Sequence, residues 1–153
     1  MSTLFDKIIS GEIPSFKVYE DQDFLAFLTP FPNTKGLTLV IPKINPGSYI
    51  FDLDDQLYTK LLLISKKIAK AIEKALDVSR VAMVVEGTGV AHVHVKLYPL
   101  YGVSKDQTDL WSTHQEFYPS YPGYLTTVEG PKMSDQELEQ IKSQIKKAID
   151  YEN

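Results

Sequence analysis

Ala91-His92-Val93-His94-Val95-Lys96-Leu97-Tyr98-Pro99 holds two of the three histidines in this 153-residue chain, two positions apart. Read as a strand over Ala91 to Tyr98, the segment sends successive side chains to opposite faces. His92, His94, Lys96 and Tyr98 then share one face, and Val93, Val95 and Leu97 the other. The valine face asks for a core and the histidine face for a ligand. Same-face neighbours lie roughly 6.5 to 7 Å apart, close enough for two imidazoles and an ammonium to converge on one phosphate or phosphodiester.

Upstream, Arg80 to Glu86 reads as a partner strand, reached through a tight Gly87-Thr88-Gly89 connection. Before it, Leu57, Leu61, Ile64, Ile68, Ala71, Ile72 and Ala75 recur at helical intervals within Leu53 to Leu76. Lys60, Lys66, Lys67, Lys70 and Lys74 occupy the rest of the surface, which predicts a long amphipathic helix with Asp52 as its N-cap. Pro30-Phe31-Pro32-Asn33-Thr34-Lys35-Gly36 must be a loop, since two prolines and a glycine in seven residues exclude helix and central strand. It separates the strand Leu37 to Ile41 from a hairpin of Lys17 to Glu20 and Phe24 to Thr29 around Asp21-Gln22-Asp23. Strands, then a helix, then strands predict an α+β domain with a largely antiparallel sheet.

Downstream, residues 100–133 show little periodicity, but Trp111, Phe117, Tyr118, Tyr121 and Tyr124 crowd a stretch broken by Pro119, Pro122 and Gly123. Such a loop is expected to drape its aromatics over an apolar surface rather than to form a base-stacking platform. The third histidine, His114, lies here, and nothing in the sequence places it. Ser134-Asp135-Gln136-Glu137 is a capping box, and Leu138, Ile141, Ile145, Ala148 and Ile149 give the helix it opens a narrow apolar face, to pack on the body or on a second subunit.

Composition narrows the chemistry. A net charge of −4 with dispersed lysines argues against a nucleic acid polymer as partner, while leaving room for a small anion in a locally positive pocket. There is no cysteine, so disulfides, thiolate zinc sites and a cysteine nucleophile are excluded. No stretch approaches the ~18 apolar residues of a membrane span, and Met1 to Asp6 lacks a signal-like start. No membrane partner is expected, and a cytoplasmic protein is.

At this point the chain resembles the histidine triad (HIT) family, whose motif is His-φ-His-φ-His-φ-φ with φ apolar. The motif corresponds to His92-Val93-His94-Val95-Lys96-Leu97-Tyr98 and is followed by Pro99. The opening also resembles the family's, through Leu4-Phe5-Asp6-Lys7-Ile8-Ile9-Ser10-Gly11-Glu12-Ile13-Pro14, Lys17-Val18-Tyr19-Glu20, Phe24-Leu25-Ala26-Phe27 and Gly36-Leu37-Thr38-Leu39-Val40-Ile41-Pro42-Lys43. The likeness covers about residues 4–100. It implies a HIT-like domain over 1–100, with 101–153, the aromatic loop and C-terminal helix, as an extension of the same domain.

The resemblance further implies a homodimeric nucleotide hydrolase or nucleotidyltransferase that cuts at the α-phosphorus. Its partner would be a small-molecule nucleotide or related phosphate compound, and it needs no metal or other cofactor. His94 takes the position that attacks phosphorus and forms a nucleotidyl-histidine. The side chain suits that role independently, because neutral imidazole has an unprotonated nitrogen at pH 7. His92 would buttress it through its carbonyl or ring.

Several positions depart from the family. Lys96 stands where relatives carry the third histidine, and Leu37 where another histidine follows glycine. An ammonium can neutralise a phosphate oxygen, but near pH 7 it donates protons less readily than imidazolium does. The transferase branch of the superfamily carries glutamine at the third position, so a full triad is not obligatory. Thr29 stands in place of an aspartate that contacts ribose, and the loop before the motif shortens to Glu86-Gly87-Thr88-Gly89-Val90, leaving Thr88 and Gly89 as its substrate contacts. The family's N-terminal cysteines are absent, so a structural zinc is not expected.

Three other readings compete. The two histidines could simply line an exposed strand. They could ligate a metal, although that needs a third ligand and Lys96 would repel a cation. Or Leu37, Thr29, Lys96 and the short loop could mark a degenerate HIT domain that binds a nucleotide or a protein partner without efficient turnover.

Overall fold

Five short strands, β1 (Phe16–Glu20), β2 (Phe24–Leu28), β3 (Thr38–Pro42), β4 (Val81–Val84) and β5 (Val95–Pro99), form one sheet in the computed structural model. The model describes residues 2–106, 109–123 and 128–151. The strand order is β1-β2-β3-β5-β4, and every neighbouring pair is antiparallel. The α+β architecture expected from the strand, helix, strand order is therefore the one observed. Both faces of this sheet are covered, which is why β2 and β5 are buried along their whole length.

One face carries the main core. Ala26 and Leu28 of β2, Val40 of β3, and Val95 and Leu97 of β5 meet Leu61, Ile68 and Ile72 of helix α2 (Asp55–Leu76) and Leu138, Ile141 and Ile145 of helix α3 (Asp135–Asp150). Full burial of a side chain of this size stabilises by about 1.5 to 3 kcal/mol. The opposite face holds a smaller cluster, in which Phe5 and Ile8 of helix α1 (Leu4–Ser10) pack on Leu25, Phe27 and Ile41. The alternation read from the sequence thus holds through the approach to β5 and along it: Val93, Val95 and Leu97 turn to the main core, and the histidine side faces the α1 cluster.

Several boundaries differ from the sequence reading for local physical reasons. Helix α2 is capped by Asp54, whose carboxylate accepts from Leu57 N–H at 2.9 Å, and not by Asp52. Asp52 instead closes a 3-10 turn, Ile50–Asp52, that folds Ile50 inward. The strand expected from Ala91 begins only at Val95, because Val93 N–H donates to Gly47 O at 2.7 Å and His92 N–H to Val90 O at 2.8 Å. These bonds turn the chain away from β4, so His92 and His94 sit just ahead of the ladder. Its partner strand is likewise shorter than Arg80 to Glu86, and the connection between the two is a longer loop than a tight turn.

Helix α1 was not read from the sequence at all. Its start is a reciprocal capping box: Asp6 N–H donates to Thr3 Oγ1 at 3.1 Å, and Thr3 N–H to Asp6 Oδ2 at 2.7 Å. Gly11, with φ of 82°, ends it in the left-handed conformation that glycine adopts freely. Helix α3 begins as expected, with Ser134 and Glu137 capping each other, and packs on α2 and β1 of the same chain. Among the described residues, no helix is long and apolar enough to cross a membrane.

Candidate functional site

The site is assembled where α1 crosses the chain leading into β5. The ring of Phe5 meets both histidines edge-on, with centroids 5.7 Å from His92 and 5.2 Å from His94. His92 is fully buried and donates from Nε2 to Pro42 O at 2.8 Å, tying the entrance of β5 to the end of β3. That bond selects the tautomer. Nδ1 then carries the lone pair, has no hydrogen-bond partner among the described residues, and lies 3.7 Å from Asp6 Oδ1. Burial pushes the His92 imidazole below its ordinary value; the Pro42 bond and the Asp6 charge oppose this without reversing it.

His94 is held through the other nitrogen. Its Nδ1–H donates to the His92 carbonyl at 2.8 Å, which leaves the lone pair on Nε2, and the residue lines a cavity of about 300 Å³. Burial again lowers the pKa first; the positive charge of Lys96 adds to it, as does the repulsion that two protonated rings, His92 and His94, would exert on each other. The His92 carbonyl and the Glu86 carboxylate pull the other way and lose. The ring is therefore neutral at pH 7, with orientation and tautomer fixed by one backbone bond.

Lys96 lines the same cavity, its Nζ 3.3 Å from Glu86 Oε1. The other oxygen of Glu86 accepts from the Tyr121 hydroxyl. Thr29, Thr88, Gly89 and Leu37 also reach the wall, as do Val128 and Glu129 from the segment before α3. Of the residues singled out in the sequence, His94, Lys96, Thr29, Thr88 and Gly89 are brought together around one space. His92 is set behind His94 and outside that wall.

His114, which the sequence leaves unplaced, lies outside the cavity: it is exposed and lies 3.0 Å from Glu116. The expectation that the aromatic stretch packs is not met at Trp111 and Phe117, which are 89% and 88% exposed, and Tyr124 lies outside the described residues. Sequence reading missed Phe5, the Glu86 and Tyr121 contacts, and Glu129. Phe5 sits in a recognisable opening segment, whereas contacts between residues 35 positions apart leave no local pattern.

Among the described residues, no group of three or more His, Cys, Asp or Glu side chains is arranged to hold a metal ion. A second cavity, of about 240 Å³, is lined by Phe24, Pro42, Ile44 and Leu57, with Asp23 and Lys60 3.5 Å apart at its edge. It contains no imidazole. Of these two cavities only the first is lined by an imidazole, that of His94, with the Lys96 ammonium beside it.

Comparison with known proteins places the fold in a family. Residues 10–102 match the HIT domain family model. The Bacillus subtilis protein hit is 37% identical over 120 residues, covering 75% of this chain and 82% of that protein. The adenosine 5′-monophosphoramidase of Saccharomyces cerevisiae is 38% identical over 99 residues, 63% of this chain and 61% of its own length. A crystal structure of a HIT family member from B. subtilis superposes with a TM-score of 0.62 at 32% identity, covering 96% of both chains.

Proposed function

This chain belongs to the histidine triad (HIT) family, and from that membership and the site geometry we propose that it is a nucleotide hydrolase or nucleotidyltransferase acting at the α-phosphorus through a nucleotidyl-His94 intermediate. The observation that carries the reading is the 2.8 Å bond from His94 Nδ1–H to the His92 carbonyl, which keeps Nε2 unprotonated at the cavity wall. Similarity to an adenosine 5′-monophosphoramidase supports a nucleotide as substrate.

In this mechanism Nε2 attacks phosphorus and the leaving group departs. Because Nδ1 keeps its proton on the His92 carbonyl, the phosphorylated ring carries positive charge and leaves again as neutral imidazole when water or an acceptor attacks. Lys96 offsets charge on a phosphoryl oxygen, and Thr29, Thr88 and Gly89 contact the substrate. His92 acts through its carbonyl rather than by touching the substrate.

Acid-quenched mass spectrometry during turnover of an adenosine 5′-phosphoryl substrate should find the adenylyl group on His94 and lose it in His94→Ala. Turnover unaffected by that substitution would dispose of the mechanism. The second reading, a HIT domain that binds without efficient turnover, is favoured by the Lys96–Glu86 pair, which sets a carboxylate beside the ammonium a phosphate would need. Calorimetric binding of AMP with no cleavage across dinucleoside polyphosphates and phosphoramidates would establish it. A homodimer and a cytoplasmic setting complete the proposal; a monomer by light scattering at micromolar concentration would remove the first.

A further inference from the structure

Every histidine of the chain is occupied before a leaving group is reached. His94 holds its one proton on the His92 carbonyl, His92 donates to Pro42 O behind the Phe5 ring, and His114 is exposed beside Glu116. The chain has no cysteine. Tyr98, next after Lys96 on the same strand face, is buried, and burial with the nearby Glu86 charge pushes its phenol up to about 12. Among the described residues around the cavity, this leaves the Thr29 and Thr88 hydroxyls, the Glu129 carboxylate and the Lys96 ammonium. Hydroxyls are too weakly acidic to protonate a departing group, and a carboxylate accepts protons. Alkylammonium ions as a class are weaker acids than imidazolium, about 10.4 against about 6.5, and general-acid efficiency follows that difference. The ammonium here is also engaged by Glu86 at 3.3 Å.

Resting on the reading that His94 attacks phosphorus, we infer that position 96 determines specificity: with lysine there supplying charge and no proton, the site is selective for leaving groups that depart as stable anions, and against amines that must be protonated as they leave. In the first step the Nε2–P bond forms while the bond from phosphorus to the leaving atom breaks. The leaving group takes both electrons away as an anion, and no proton moves within the site. In the second step water oxygen bonds to phosphorus, the P–Nε2 electron pair returns to His94, and the proton lost by water passes to solvent. An amine would have to depart as an amide anion unless its nitrogen were protonated during cleavage. Lys96 contributes fixed positive charge to the phosphoryl oxygens, which helps all substrates alike.

The test is a leaving-group series on the full-length wild-type protein: adenosine 5′-phosphate aryl esters with phenols of graded acidity, together with adenosine 5′-phosphoramidate. kcat/KM should fall steeply as the phenol becomes less acidic, and the phosphoramidate should react at least about 100-fold more slowly than the fastest ester. Lys96→His should flatten the dependence and speed the phosphoramidate by roughly 100-fold, with little gain on the most acidic ester. Lys96→Gln should slow every substrate by a similar factor and keep the steep slope. A shallow dependence in the wild type, or a folded Lys96→His variant with the slope unchanged, would overturn the inference while leaving the His94 mechanism in place. Turnover of no member would overturn that mechanism, and the inference with it. If Lys96→His does not fold, the wild-type series decides alone.

Discussion

Two buried imidazoles with lowered pKa values make the residue scale pH-sensitive in a definite direction. Both His92 and His94 are neutral when folded, and both bind a proton more readily once unfolding returns them to water. The unfolded state therefore takes up protons first as pH falls below about 6.5, and stability declines from there down to the lowered folded values. The thermal midpoint should be flat above about pH 7 and should drop on acidification toward pH 5. Replacing His94 with Gln should remove part of that slope, and an unchanged slope would contradict the assignment. For activity, the sign places the acid limb of kcat/KM below the ordinary imidazole value of about 6.5, because His94 stays unprotonated to lower pH. A limb at or above that value would mean that the cavity nitrogen is not the nucleophile. His92→Phe separates the roles of side chain and carbonyl. It leaves Pro42 O without its donor, which costs about 1 to 3 kcal/mol by urea unfolding. It keeps the His92 carbonyl under His94, so its activity should fall far less than that of His94→Ala.

At the scale of elements, two capping boxes offer a controlled comparison. Thr3→Ala and Ser134→Ala each remove a hydroxyl that accepts from the first turn of a helix, and each should destabilise by about 1 kcal/mol. Only α1 carries a side chain onto the site, since Phe5 packs against both histidine rings. Thr3→Ala should therefore reduce kcat/KM at a temperature where both variants are fully folded, and Ser134→Ala should not. Equal kinetic effects would show that α1 has no special hold on His94. The same elements show what was legible in the chain. Helices α2 and α3 were visible because 22 and 16 residues give several turns of apolar recurrence. The start of α2 was misplaced because Asp52 and Asp54 are both competent caps, and the choice depends on Ile50 turning into the core. Helix α1, only 7 residues long, presents two buried side chains, too few to establish a period. Alternation sorted the faces around β5 correctly yet overestimated its length, since the backbone of Val93 pairs with the loop carbonyl of Gly47 rather than with a strand.

Across the whole molecule, a chain of net charge −4 would, on the proposed function, still have to present a site able to accept a phosphate, and the C-terminal segment shapes that cavity from a distance. His94 and Lys96 were readable because they share one strand face, but apart from Thr88, Gly89 and Val90 the wall that completes their cavity comes from residues more than 30 positions away. Gly130 N–H donates to Phe31 O at 3.1 Å and Met133 N–H to Pro30 O at 3.0 Å, pinning this segment on the loop before β3 and bringing Val128 and Glu129 to the cavity. The approach requires glycine: a Cβ at position 130 would lie 2.0 Å from Pro32 O and 2.7 Å from its carbonyl carbon, both backbone atoms that cannot swing aside. Gly130→Ala should push the two strands of chain apart, with a stability loss within the usual 0.5 to 3 kcal/mol, roughly, of a strained substitution. Helix α3 is held independently by Leu138, Ile141 and Ile145 in the main core, so the fold should survive. The kinetic signature should then be a raised KM with kcat much less affected, because the wall moves and the His92 carbonyl that orients His94 does not. If KM instead stays at the wild-type value while the thermal midpoint drops, the segment only seals the core, and substrate is held by the first 100 residues alone.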